Sequence, residues 1–217
     1  MGPVCTIVLA TTNEGKASEL RALLGDLPVQ LVTTVDLFGD TLTVPEDGAT
    51  FEENAAAKAR ALCKATRMLA LADDSGLEVD ALDGRPGVRS ARFAHDRATD
   101  AENNAALLRA LEEGESDSNR KARFRCVLAL ASPWADGDVR LVEGRVDGSI
   151  ARDPRGSGGF GYDPLFLADD ADGRAMAELS EEEKNAISHR ARAVRAMRPL
   201  LVEILNRQLD ETERIAG

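Results

Sequence analysis

Aromatic residues are scarce: one Trp, one Tyr and six Phe in 217 residues. The core must therefore be built largely from Leu, Val and Ala. Cysteine is rarer than any framework requires. Cys5 and Cys126 fall in strand-like apolar runs and Cys63 in a helical pattern. An odd count without CxxC spacing points to reduced, packed thiols of a cytoplasmic protein. No stretch approaches 18 uninterrupted apolar residues, so no membrane span is expected. MGPVCTIVLATTNEGK lacks a basic leader and a small-residue cleavage site, so no signal peptide is expected. Positive charge is in deficit. A formal net charge of −11 argues against a broad nucleic-acid footprint. It leaves room for a small anion, because a few Lys, Arg and backbone amides, helped by Mg²⁺, hold a phosphate even on an acidic protein. Repeats, low-complexity tracts and an interdomain linker are all missing. One domain over 1–217, or two closely joined lobes, is expected.

What remains reads as α/β. Residues 4–10 form an apolar strand, TTNEG turns into a helix over about 16–25, and 29–35 return as a strand. Thr50 and Glu53 have capping-box spacing before a helix from Phe51 to about Thr66. MLALADD at 68–74 reads as a strand ending in two acids, and GLEVDAL as a second short strand. Thr99 and Glu102 cap a helix over about 100–113, followed by a polar loop at 112–119. Residues 122–132 and 139–150 read as paired strands joined through an Asp136-Gly137 turn. After a Gly/Pro loop at 152–164, Ser180 and Glu183 cap a helix, and a longer one runs to about Gln208. Residues 209–217 are expected to form a loose tail.

Chemistry concentrates in a few segments. TTNEGK lies where a strand hands over to a helix. There, backbone amides and the helix dipole favour an anion, and Lys16 adds a charge. The GxxxxGK[ST] spacing of a Walker loop is absent. In ADDSG, Asp73 and Asp74 offer hard oxygen ligands for Mg²⁺, or one orients or deprotonates water; the same residues also suit a plain turn. Asn54 and Lys58 lie one helical turn apart on one face, and Glu46 or Asp47 upstream adds a carboxylate. GSGGFGYDP carries four glycines within 156–161, with Phe160 and Tyr162 able to stack on a base. In EEKNAISHR, Ser188 caps the last helix, and Lys184, His189 and Arg190 supply donors for a purine edge or a phosphate. His95 has no partner motif and is read as non-catalytic.

In their order, LATTNEGKASEL, FEENAAAKA, LADDSGLEVDAL, GRPGVRSARF, GFGYDPLF and ELSEEEKNAISHR closely resemble the inosine triphosphate pyrophosphatase family. The resemblance spans Val4 to about Arg190. It implies an elongated twisted mixed sheet flanked by helices, in two lobes with a cleft between them, and a homodimer. It implies hydrolysis of ITP, dITP and XTP to the monophosphate and pyrophosphate, with Mg²⁺ as cofactor. By that resemblance Asp74 is the proton acceptor for water, and Glu46, Asp74 and the nearby Asp73 serve the metal. Thr11, Thr12, Asn13, Glu14, Gly15 and Lys16 bind substrate, chiefly its phosphates. Lys58, Ser75, Phe160, Gly161, Tyr162, Asp163, Lys184, His189 and Arg190 contact the nucleotide. Thr12 stands where relatives often have Gly or Ser. Two other readings stay open: a pyrophosphatase for other modified nucleotides, and a nucleotide sensor without turnover. The acid pair and Lys58 speak against the sensor.

Overall fold

The computed structural model describes residues 5–39, 44–113, 119–134 and 137–216. The chain runs β1 (Cys5–Leu9), α1 (Glu14–Leu24), β2 (Val29–Thr33), α2 (Thr34–Phe38), α3 (Phe51–Thr66), β3 (Leu69–Val79), α4 (Asp100–Glu113), β4 (Lys121–Ala131), β5 (Val139–Ile150), β6 (Phe166–Ala168), α5 (Glu181–Ile187) and α6 (His189–Ala216). The strands form one mixed sheet in the order β2-β1-β3-β4-β5-β6. β1 pairs in parallel with β2 and β3, whereas β3 to β6 pair antiparallel. The expected α/β class is observed.

Strand alternation decides what each face receives. Leu69 and Leu71 of β3, with Cys126, Leu128 and Leu130 of β4, pack against α1 and α6. Ala70 and Ala72, with Val127, Ala129 and Ala131, pack against α3 on the opposite face. That second face is lined by small residues, and α3 meets it with Ala55 and Ala59, so helix and sheet approach closely. A third cluster gathers Leu77, Val79, Phe124, Val146 and Phe166 with Leu107 and Leu111 of α4.

Helix starts follow the sequence. Thr99 with Glu102, and Ser180 with Glu183, exchange both capping hydrogen bonds. Thr50 accepts from the Glu53 amide, but Glu53 reaches back to the Ala49 amide instead of closing the box.

Several expectations require correction. The strand through the acid pair does not end there; β3 continues unbroken to Val79, because β4 pairs with it along its whole length. β2 stops at Thr33, where the Thr33 and Asp36 side chains box the start of α2. The tail is helical to Ala216, since DETERIA contains neither Gly nor Pro to stop α6. β6 carried too short an apolar run to be foreseen. Asp136 of the predicted turn and residues 114–118 of the predicted polar loop lie outside the described residues; Gly137 has φ +87°.

Gly144 sets the distance between β5 and α6. A Cβ there would fall against the His189 carbonyl and the Ala193 amide, and 3.0 Å from Ala193 Cα, so backbone would have to move. Gly144→Ala is expected to destabilise the fold by about 3 kcal/mol, the upper range for overpacking. Urea unfolding of both proteins measures it, and an unchanged midpoint would contradict this packing.

Candidate active site

The turn into α1 is internally ordered. The Asn13 side chain accepts from the Lys16 amide at 3.0 Å, and the Asn13 amide donates to Thr11 Oγ1 at 3.1 Å. This capped turn borders a cleft of about 720 Å³ lined by Thr11, Thr12, Asn13, Lys16, Glu46, Lys58, Asp73, Asp74, Ser75 and Arg92. Glu14 is not part of it: its side chain is 78% exposed and nearest Arg21.

The two acids part company because β3 continues through them. Asp73 falls on the α6 face and Asp74 on the α3 face. Asp74 Oδ1 accepts from Lys58 Nζ at 2.8 Å, and Oδ2 from Asn54 Nδ2 at 3.2 Å. Lys58 Nζ also reaches Glu46 Oε1 at 3.1 Å and the Asp73 carbonyl at 2.8 Å. Glu46, not Asp47, is thus the upstream carboxylate beside Asp74. Asp73 Oδ1 accepts from Lys16 Nζ at 2.6 Å and Ser75 Oγ at 2.8 Å. Its Oδ2 accepts from Arg190 Nε at 2.8 Å and Cys126 Sγ at 3.1 Å.

These partners set the charges. Burial pushes the Asp74 carboxyl above the ordinary carboxylate value despite the pull of Lys58. Burial also acts to raise Glu46, but Lys58, with Lys16 and Arg92, holds it below its ordinary value. Burial acts the same way on Asp73, yet Arg190 and Lys16 hold it well below. Asp74 is therefore the more basic of the acids.

Among the described residues no group of three or more His, Cys, Asp or Glu side chains forms a ready metal cage. The expected set of Glu46, Asp73 and Asp74 is not assembled, because Asp73 has its oxygens occupied on the other face. Glu46 and Asp74 remain, spaced around one ammonium. Two carboxylates suffice for Mg²⁺, which keeps several waters and takes its other ligands from phosphate. The donor set fits that ion.

A second, smaller cavity of about 100 Å³ adjoins the cleft and shares Asn13, Lys16 and Ser75 with it. Phe160, Gly161, Asp163, Lys184, His189 and Arg190 line it. The Phe160 ring has Lys184 Nζ 4.8 Å and Arg190 Cζ 5.8 Å from its centroid. A Cβ on Gly15 would come within 2.6 Å of that ring, so Gly15 serves close approach. His189 stacks on Phe124 at 4.7 Å, and its buried Nδ1 has no protein partner. Burial, with Arg190 adjacent, keeps the imidazole well below its ordinary pKa and hence neutral. Tyr162 also lines this cavity. It is 4% exposed, sits in the core, and donates from its hydroxyl to the Ser90 carbonyl at 2.9 Å. His95 lies at the surface beside Glu102, away from both cavities.

Sequence reading passed over Glu19 and Arg92. Glu19 bonds Lys184 Nζ at 2.6 Å and also pairs with Arg190 Nη1. Arg92 lies 3.7 Å from Glu46. Both sit inside recognised motifs, but their partners are distant in sequence, so spacing alone carried no signal.

Asp73 and Arg190 have side chains 0% and 1% exposed. Removing one charge of such a pair leaves the other buried without full compensation. Asp73→Asn is expected to cost about 3 kcal/mol in folding stability. Chemical denaturation checks it; a change under about 0.5 kcal/mol, typical of a surface substitution, would mean the pair is not holding the structure.

Comparison with known proteins places this architecture. The model of the Ham1 family matches residues 7–200. A dITP/XTP pyrophosphatase of Desulforamulus reducens is 50% identical over 201 residues, 93% of this chain and 96% of that protein. One of Geobacter sulfurreducens is 51% identical over 188 residues, 87% and 92% of the two chains. The structure of a HAM1 protein from Coxiella burnetii superposes with a TM-score of 0.82 at 44% identity, over 92% of this chain and 100% of that one. With a family match over most of its length and relatives at half identity, the chain belongs to the Ham1 family.

Proposed function

We propose that this protein hydrolyses the deaminated purine nucleoside triphosphates ITP, dITP and XTP to the monophosphate and pyrophosphate. One observation carries the reading: a polar cleft and a small aromatic-lined cavity meet at Asn13, Lys16 and Ser75. A triphosphate suits the first and a purine the second. Curated relatives at half identity bear the name dITP/XTP pyrophosphatase. A cytoplasmic enzyme acting as a homodimer, as the family resemblance implies, belongs to the same reading. Among the described residues no helix is long and apolar enough to cross a membrane.

In this mechanism the amides at the start of α1 and Lys16 bind the phosphates. Lys58 orients Asp74 and Glu46 and offsets charge developing on the phosphoryl oxygens. Asp74, its two oxygens fixed by Lys58 and Asn54, takes the proton of the water that attacks the α-phosphorus. Pyrophosphate then leaves. Mg²⁺, held by Glu46 and Asp74, would neutralise the triphosphate and polarise a phosphoryl oxygen.

Base choice rests on hydrogen-bond polarity. Hypoxanthine and xanthine present an acceptor at C6, where adenine presents a donor. Neutral His189 has an uncommitted, buried Nδ1 facing this problem. Three of the five Arg190 N–H groups are already engaged by Asp73, Glu19 and Ser75, so Arg190 acts chiefly to hold the pocket. A buried donor left opposite an amino group costs about 1–3 kcal/mol.

Three outcomes follow. A panel of nucleoside triphosphates with Mg²⁺ is expected to show ITP, dITP and XTP as good substrates, with ATP and pyrimidine triphosphates poor. Orthophosphate as the first product would rule out attack at the α-phosphorus. Asp74→Asn is expected to lower kcat at least about a hundredfold, the scale of a lost general base. Nucleotide affinity should fall much less; near-normal turnover would remove Asp74 from this role. Because His189 stays neutral, the dITP/dATP ratio of kcat/KM should be flat between about pH 6 and 8. A ratio that titrates in that window would assign base reading to a protonating imidazole.

A further inference from the structure

The glycine-rich loop over the small cavity is fastened by α4, through Asp100, which itself borders the cavity, and Asn104, which does not. Gly161 has φ +62°, a conformation that a glycine adopts freely. Both of its backbone groups are taken by the first turn of α4. The Gly161 amide donates to Asp100 Oδ2 at 2.7 Å, and its carbonyl accepts from Asn104 Nδ2 at 2.8 Å. The same Asn104 amide donates to the Asp100 carbonyl at 2.8 Å, which locks the two residues together. The loop needs such a fastening. Gly156, Gly159 and Gly161 all have positive φ, and a cavity of about 420 Å³ lies on its far side, lined in part by Ala105, Leu108 and Pro154. Without the bonds to Gly161, the loop has room to fall back into that space.

The residue next to the fastening is Phe160. Its ring stands over Lys184 and Arg190 and lies against the first turn of α1 at Gly15. We infer that Asp100 and Asn104 are positioning residues for base recognition: by holding both backbone groups of Gly161, they seat Phe160 as the wall of the purine cavity. The inference rests on the nucleotide reading above. Neither residue touches the phosphate cleft. Their effect should therefore fall on the base half of the substrate alone.

The test compares Asp100→Ala with Asp100→Asn. Both remove the negative charge at the start of α4, but Asn keeps an oxygen acceptor for the Gly161 amide. Asp100 is solvent-exposed, so both variants are expected to fold. Asp100→Ala should raise KM for dITP about tenfold, the scale of a lost hydrogen bond to a charged group, with kcat changed less than about threefold. Inhibition by pyrophosphate, which has no base, should be unchanged, and Asp100→Asn should restore most of the affinity. Asn104→Leu, which removes the donors at similar volume, should match Asp100→Ala. Hydrogen exchange of the 156–161 backbone supplies a readout free of activity: it should quicken in the Ala and Leu variants and not in Asp100→Asn. If the parent protein hydrolyses no nucleotide but exchange responds in this way, the nucleotide reading fails and the fastening stands. Equal weakening of dITP and pyrophosphate, or unchanged exchange with unchanged KM, would overturn the positioning role.

Discussion

The buried ion pair between Asp73 and Arg190 constrains more of this molecule than any other contact. Both side chains are out of water, and moving such charges into the interior costs several kcal/mol per ion unless every lone pair and proton is matched. The matching is extensive. Asp73 collects four donors, from Lys16, Ser75, Arg190 and Cys126. Arg190 divides its nitrogens among Asp73, Glu19 and Ser75. Those partners come from α1, β3, β4 and α6, and Glu19 extends the chain of charges to Lys184 of α5 and on to Asp163. No member can shift without uncovering a buried charge. The turn beside the larger cleft and the loop that walls the smaller cavity are thereby held in one frame.

Strand alternation explains why a DD pair yields two unlike acids. Asp73 lies on the face where a polar layer interrupts two apolar clusters, and its negative charge is fully matched there. Asp74 lies on the face covered by α3, where burial raises its basicity although one ammonium and one amide bond its oxygens. Adjacent residues with opposite pKa shifts are what a strand produces when its two faces meet different charges. One acid is tied into the scaffold and its neighbour is the more basic of the two.

Much of this was legible beforehand for physical reasons. Capping residues and alanine-rich periodicity placed α3 at Phe51–Thr66, and apolar runs placed β4 and β5 within a residue of their observed ends. The site segments converged as their order implied. What failed was long-range. Whether β3 stopped at Asp74 depended on a partner strand fifty residues away, and that pairing decided which face each acid took. The hydroxyl of Tyr162 bonds a carbonyl 72 residues earlier in the chain, a partner that its loop could not signal. Glu19 carried no local signal because both of its cations arrive from the other end of the sequence.

The charge pattern bears on how a highly anionic ligand enters an acidic protein. The ion pairs of the two cavities enlist Lys16, Lys58, Arg92, Lys184 and Arg190 against Glu19, Glu46, Asp73, Asp74 and Asp163. Five cations meet five carboxylates, so side chains alone make no positive trap. An arriving triphosphate finds attraction in the amides of α1, whose dipole amounts to roughly half a charge, and in whatever cation it brings. Lys58, already shared by Glu46 and Asp74, cannot turn fully to a phosphate without leaving two carboxylates unbalanced. Glu46 and Asp74 would hold a divalent ion, which would supply the positive charge that these side chains lack. On this electrostatic argument the positive charge that a triphosphate requires here would have to come from the start of α1 and from a bound cation, not from the paired side chains.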